Sequence, residues 1–379
     1  VQAAHRADSS MLQLTAETVG GLAALPGLFE TDALTLAALP LRNRQAELVG
    51  VLCLVYRGIA DVDDDGQFDN QLAFISALSG FAAVSLESRQ LLMMQKALLD
   101  AFIKLIAGAL DSKSPYTGGH CQRVPELTKL LAQAACDSTA EPFSDFTLDD
   151  QQWEALDIAS WLHDCGKVTT PEYVVDKATK LETLYDRIHE IRMRFEVLKR
   201  DAELRYWQQR AAGEDATGLD AALQDELKGL DDDFAFVAEC NLGGEFMAPE
   251  KLERLQRVAG YDWTRTLDDR LGVSWEERQR MERDAASPLP VTEKLLDNKV
   301  QHLIERQAVD RLATDNPWGF RMDTPEYKYN RGELYNLQVG RGTLTEEERY
   351  KINDHIMQTI IMLEKLPYPK HLRDVPLIA

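Results

Sequence analysis

The sequence has no apolar run approaching the roughly 20 residues that span a bilayer, so no membrane insertion is expected. Nor does it have a paired cysteine pattern. Cys53, Cys121, Cys136, Cys165 and Cys240 form an odd, scattered set without CxxC spacing, which indicates neither a disulfide framework nor a zinc ribbon. A reducing, cytoplasmic compartment is the default expectation. Positive charge is scarce: 42 Lys and Arg stand against 63 Asp and Glu, for a net charge of −21. That balance argues against a nucleic-acid surface and against docking on acidic membranes. A small anion is still admissible, because a local metal site outweighs the global field. No signal peptide precedes Val1 and no Met begins the chain, so a fragment of a longer protein is expected.

What is present is an ordinary globular balance, 45% hydrophobic and 28% charged over 379 residues, enough for two or three domains with cores. The most informative stretch is Trp161-Leu162-His163-Asp164-Cys165-Gly166-Lys167. It ends an apolar run (Trp153, Leu156, Ala159) that reads as a mostly buried helix, opened by Thr147 and Asp150 as a capping box. An adjacent imidazole and carboxylate can reach one divalent cation, and the second carboxylate oxygen can bridge another. Gly166 lets the chain turn, and Lys167 offers a compact charge suited to a phosphate oxygen. A lone His-Asp pair at a helix end is more often a satisfied ion–dipole pair; the neighbouring segments tip the balance.

Upstream, Leu34 to Leu41 and Leu48 to Tyr56 read as two strands joined by a polar turn. An acidic loop, Asp61 to Asp65, follows, then a helix from about Asp69 to Leu86. From there the helix continues: Val84, Leu91, Leu98 and Leu105 recur every seven residues, with Met94 and Ala101 between them. This short seam suits a parallel pairing of two protomers, or one helix packed on its own domain. After Pro115 and Gly118-Gly119 a new helix places His120, Val124, Leu127 and Leu131 on one face. A histidine heading such a stripe is either a hydrogen-bonded core residue or a ligand.

Residues 181–341 read as an insertion. Leu181, Leu184, Ile188, Ile191, Phe195, Leu198 and Ala202 step by threes and fours among charges, predicting an amphipathic helix. After a turn over 211–218, Leu223, Leu227, Leu230, Phe234 and Val237 form a return face, so a helical hairpin is expected. Shorter helices follow near Glu250–Val258 and Trp275–Ala285, the latter capped by Ser274 with Glu277. His189 reads as polar-face material and His302 is ambiguous; no catalytic constellation stands out here, and a lid, dimer contact or partner surface is the reading. Finally, Thr345 with Glu348 caps a helix carrying Ile352, His355, Ile356, Thr359, Ile360 and Leu363.

His163-Asp164 with Gly166-Lys167 resembles the HD superfamily of metal-dependent phosphohydrolases. The flanking segments, from Asp111 to Leu181 and from Gly342 onward, resemble its HD-GYP branch, whose members hydrolyse cyclic di-GMP. The resemblance implies metal ligands at His120, His163, Asp164 and His355, with Asp164 and Lys167 catalytic. Arg123, Lys167 and Lys177 would contact substrate phosphates. It implies two divalent metals, iron or manganese, bridged by Asp164 and lowering the pKa of a bound water. Tyr116 stands where some relatives carry a glutamate for a third metal. The strand, turn, strand, acidic loop and helix resemble the C-terminal half of a GAF domain, with an unknown small ligand; any small α+β module is the alternative.

The expected fold is mostly α: a partial α+β GAF-like module over 1–86, a connector helix over 87–110 and an all-α HD-type core over 111–379 with the helical insertion. The expected function is a cyclic di-GMP phosphodiesterase of second-messenger signalling, homodimeric through its connector. A catalytically silent module binding a protein partner and an HD nucleotide phosphohydrolase are the alternatives. The His-His and Gly-Tyr-Pro signature of the branch is absent from this chain, so as it stands it is expected to bind metal poorly and turn over little.

Overall fold

A computed structural model of the protein describes residues 10–15, 28–58, 67–113, 119–244, 246–313 and 315–379. The acidic loop at 61–65, Pro115, Tyr116 and Gly118 lie outside the described residues. The chain is mostly α and divides into two compact units, Val1–Phe102 and Ile103–Ala379.

The first unit holds a three-stranded antiparallel sheet in the order β1 (Ser10–Thr15), β2 (Ala33–Arg42), β3 (Leu48–Arg57). The hairpin of β2 and β3 follows the two apolar runs, in register from Leu34↔Arg57 to Leu41↔Gly50. Its turn is fixed by Asn43, whose side-chain oxygen accepts from the backbone N–H of Gln45 and Glu47 at 3.0 and 2.8 Å, an Asx turn. Leu34, Ala37, Leu39 and Leu41 are buried. β1 was not foreseen; it is short and carries little alternation. Helix α1 then runs without a break from Gln67 to Asp111, 45 residues, so the helix does continue through the sequence where a connector was expected.

In the second unit, α2 (His120–Cys136) packs beside α3 (Asp150–Leu162). The structure corrects two details. The cap of α3 is Asp149 with Gln152, not Thr147 with Asp150: the Asp149 carboxylate accepts from Gln152 N at 2.8 Å and the Gln152 side chain accepts from Asp149 N at 2.9 Å. On α2 the buried residues are Cys121 and Pro125, whereas Leu127 and Leu131 are exposed, because α2 packs on α3 through the flank beside the expected stripe. After a 3-10 turn over Cys165–Thr169 and the short α4 (Glu172–Val175) the insertion begins.

The helical hairpin is present as α5 (Ile188–Ala211) and α6 (Ala216–Leu242). Its first helix starts later than the periodicity predicts: Leu181 is fully buried before it and Leu184 is 90% exposed in the intervening turn. There follow α7 (Pro249–Ala259), β4 (Asp262–Arg265), α8 (Trp275–Met281), β5 (Val291–Lys294), β6 (Leu303–Glu305), β7 (Tyr327–Asn330), α9 (Glu333–Leu337), α10 (Glu346–Glu364) and α11 (Val375–Ile378). The two antiparallel pairs β4–β5 and β6–β7 add short strands to an insertion expected to be helices and loops. Each strand is only three or four residues long, too short to leave an alternating signature. The caps foreseen at Ser274 and at Thr345 with Glu348 are observed.

Two cores result. One lies in the insertion and gathers Leu181, Ile191, Phe195, Val237, Leu255, Leu295 and Leu337. The other gathers Ile103, Ile158, Ala159, Leu162, Cys165, Leu363, Leu372 and Val375, so the chain entering at Ile103, α3 and the last helices fold together although far apart in sequence. That second core carries the candidate site.

Candidate metal centre

Helix α3 stops at His163, which is its C-cap, and Asp164 leaves helical geometry to begin the 3-10 turn. The turn is pressed against α10. A β-carbon on Gly166 would lie 1.9 Å from His355 O and 2.6 Å from Thr359 N, so only glycine permits this approach. Gly166 N–H donates to Thr359 Oγ1 at 2.9 Å, and that hydroxyl donates to His355 O at 3.0 Å. From the other side Lys113 Nζ donates to the carbonyls of Lys167, Val168 and Thr170 at 3.1, 3.0 and 2.5 Å, satisfying groups that the short turn leaves open.

This framework brings together His120, His163, Asp164 and His355. Asp164 Oδ2 lies 3.3 Å from His120 Nε2 and 3.0 Å from His163 Nε2, and Oδ1 lies 3.4 Å from His355 Nε2. The two imidazoles on Oδ2 are themselves 3.3 Å apart through their Nε2 atoms. His120, His163 and Asp164 form a group whose donor atoms all lie within 4.8 Å of one another. Lys167 Nζ also reaches Oδ2, at 2.6 Å.

The donor chemistry fits a divalent cation. His163 Nδ1 is bonded to Ser160 O at 2.7 Å and His355 Nδ1 to Ile352 O. Backbone carbonyls accept, so each Nδ1 carries the proton and each Nε2 is left with a lone pair aimed at Asp164. Nitrogen and oxygen lone pairs then converge with too few protons between them. Burial resists ionisation of Asp164, yet His163, His355 and Lys167 together hold its carboxyl far below the usual range. The hydrogen bond to Asp164, working against burial, raises the His163 pKa. The carboxylate recruits protons and Lys167 where a cation would serve as well.

Other expected contacts fall elsewhere. Arg123 is exposed on α2, one turn beyond His120. Lys177 is not at the site: its side chain is 1% exposed and its Nζ bonds Glu348 Oε1 and Oε2 at 2.9 and 2.8 Å and Asn336 Oδ1 at 3.1 Å. A lysine so buried and paired has no donor left for a phosphate, which corrects the expectation of a substrate contact. His302 accepts from Lys299 N–H at 3.1 Å within the insertion. The sequence reading missed Lys113 and Thr359. Thr359 was legible in principle, since it stands four residues after His355 on the same face; Lys113 was not, because its partners are backbone carbonyls more than 50 residues away.

Residues 290–379 match the HD domain family, a span that includes His355 but not His120, His163 or Asp164. A curated protein, the 3'3'-cGAMP-specific phosphodiesterase 3 of Vibrio cholerae serotype O1, is 32% identical over 113 residues, which are 28% of this chain and 22% of that protein. The chain thus spans about a fifth of the length of that relative. No solved structure matches. Each match covers only part of this chain. Among the described residues no helix is long and apolar enough to cross a membrane.

Proposed function

We propose that this chain belongs to a metal-dependent phosphodiesterase of the HD-GYP type that hydrolyses a cyclic dinucleotide. The observation that carries the reading is the convergence of three imidazole Nε2 atoms on the two oxygens of Asp164. His120 and His163 reach Oδ2 and His355 reaches Oδ1, so these four residues would hold divalent metal. Iron and manganese both accept such a nitrogen and oxygen set. Bound there, divalent cations supply Lewis acidity and lower the pKa of a water molecule.

The protein's own part is positional. Ser160 O and Ile352 O fix the tautomers and ring orientations of His163 and His355. Lys167, held at the site by Asp164 Oδ2 at 2.6 Å, would set its positive charge against the negative charge that develops on phosphorus oxygens. Arg123, exposed a turn from His120, is the second group for a phosphate. Cyclic di-GMP follows from the sequence motifs, and 3'3'-cGAMP from the relative's name; both present the same linked phosphodiesters. Product analysis by chromatography, with manganese or ferrous iron, on both dinucleotides and on mononucleotides is the test. Linear dinucleotide from a cyclic one is the expected product. Metal content of zero after loading favours a catalytically silent binding module, and cleavage of mononucleotides alone favours an HD nucleotide phosphohydrolase.

The unbroken α1 helix supports a homodimer through the connector. Leu91, Leu98 and Leu105 are 58, 58 and 66% exposed, an apolar seven-residue series that a twin helix would cover. Sedimentation of Leu91→Glu and Leu98→Glu is expected to give the monomer; two variants that sediment like the parent refute the pairing. The antiparallel sheet followed by a helix is also what the GAF-like reading asks of the first unit, with a small ligand as its expected occupant.

A further inference from the structure

A cavity of about 720 Å³ lies beside the proposed centre and includes none of its ligands. Its floor is a second face of α10, formed by Tyr350, Lys351, Asp354 and Gln358, while His355 and Thr359 stand one residue further round the same helix. Its far wall is the loop after β6, with Arg306, Arg311 and Trp318. Thr169 forms the edge towards the Cys165–Thr169 turn: Lys351 Nζ lies 3.3 Å from Thr169 Oγ1, which donates to Gly166 O at 2.9 Å.

The lining is built for a flat ring and an anion. Trp318 is held rigid, stacked on Phe320 with centroids 5.8 Å apart and planes 15° from parallel, its indole N–H given to Glu364. Arg306 lies over the Tyr350 ring at 4.6 Å. Two of the cations are answered by carboxylates, Lys328 by Asp310 at 3.0 Å and Lys351 by Asp354 at 2.7 Å. Arg306 is different. It donates to the carbonyls of Pro325, Asp310 and Tyr327, and the Asp310 carboxylate, already held by Lys328, also feels its charge. Arg311 is exposed, and its guanidinium has no partner among the described residues. Across the lining Arg306, Arg311, Lys328 and Lys351 stand against Asp310, Asp315 and Asp354, an excess of one positive charge in a chain of net charge −21. Aromatic wall and free guanidinium together are the complement of base and phosphate.

We propose that this cavity is a second binding site, separate from the Asp164 centre, for a nucleotide whose base lies against Trp318 and whose phosphate meets Arg311. Titration calorimetry of the whole chain with GMP, AMP and UMP, and with inorganic phosphate for comparison, tests it. At least one nucleotide is expected to bind the parent and Asp164→Asn alike, and about tenfold more weakly to Arg311→Glu and to Trp318→Ala. Arg311 is exposed, so its variant reads the site even where Trp318→Ala disturbs the loop. Inorganic phosphate is expected to bind more weakly than the nucleotide. The site is refuted by absence of nucleotide binding, by binding lost in Asp164→Asn but retained in the cavity variants, or by phosphate binding as tightly as nucleotide. Metal content is measured on the same samples, so failure of the cavity and failure of the metal centre are read separately.

Discussion

Asp164 and Glu333 are both buried carboxylates surrounded by nitrogen, and they are satisfied in opposite ways. Glu333, 2% exposed, takes a bidentate fork from Arg194, NH1 to Oε2 at 2.7 Å and NH2 to Oε1 at 2.8 Å. Burial is opposed by that guanidinium, and the carboxyl is held below its usual range. The anion meets a permanent cation, with Glu190 3.6 Å from the same guanidinium, and the group is closed by protein alone. Asp164 has three imidazoles and a lysine around two oxygens, and three of the four crowd onto Oδ2 alone. A closed pair holds two elements together; a crowded carboxylate with exchangeable neighbours has room for something that is not protein. The difference separates structure from chemistry more clearly than burial does.

The sharpest way to break the comparison is at its ends. Asp164→Asn is expected to lower turnover of a cyclic dinucleotide by about 10³-fold, about 4 kcal/mol in the transition state, and to reduce bound metal, while the unfolding midpoint moves little. Steady-state kinetics, metal analysis and a thermal melt check the three parts. Glu333→Ala reverses the pattern. It strands Arg194 in a buried site and is expected to cost about 3–5 kcal/mol of stability, seen by denaturant unfolding, with metal content of the folded protein unchanged. A variant of Glu333 that loses metal but keeps its stability would invert the distinction.

Lys177 and Glu348 sharpen it further. Lys177→Met is expected to destabilise by about 3 kcal/mol by leaving Glu348 buried without its cation, and Lys177→Met with Glu348→Gln, which removes both charges and can still accept from Thr345 N–H, by less than the single change. If Lys177 contacted substrate, its loss would instead raise KM with stability unchanged. The smallest effect is expected at His302. Burial, then the neighbouring Arg187, pulls its pKa from 6.5 down to about 4, so the folded chain keeps it neutral. The unfolded chain takes up that proton between these values and the folded chain does not. Stability is therefore full above pH 6.5 and falls as pH drops towards 4, by on the order of 2–3 kcal/mol from this group. His302→Gln, which retains an acceptor for Lys299 N–H, is expected to flatten that decline in pH-dependent melts.

Much of the helical plan was legible, because caps and periodicity act within a few residues: Thr345 with Glu348, Ser274 with Glu277 and the turn between α5 and α6 are local chemistry. The cap of α3 was misread by neighbouring polar residues that compete for the same role. The short strand pairs were illegible, since three or four residues carry no period. Lys177 was the instructive miss, because a lysine after a phosphate-type motif looks exposed until Glu348, 171 residues away in sequence, is folded over it.

The sequence by itself determined the chemistry on offer: a His-Asp-x-Gly-Lys run, histidines heading or edging helical faces, an acidic chain with a seven-residue apolar series. These are properties of residue type and spacing, and they do not depend on what lies opposite. Only the tertiary structure decided which nitrogen atoms share a carboxylate and which lysine is consumed in a buried pair. The reason is contact at a distance in sequence. His355 meets Asp164 because Gly166 has no side chain to hold α10 away, and Lys177 is removed from the site by the same packing that brings His355 into it.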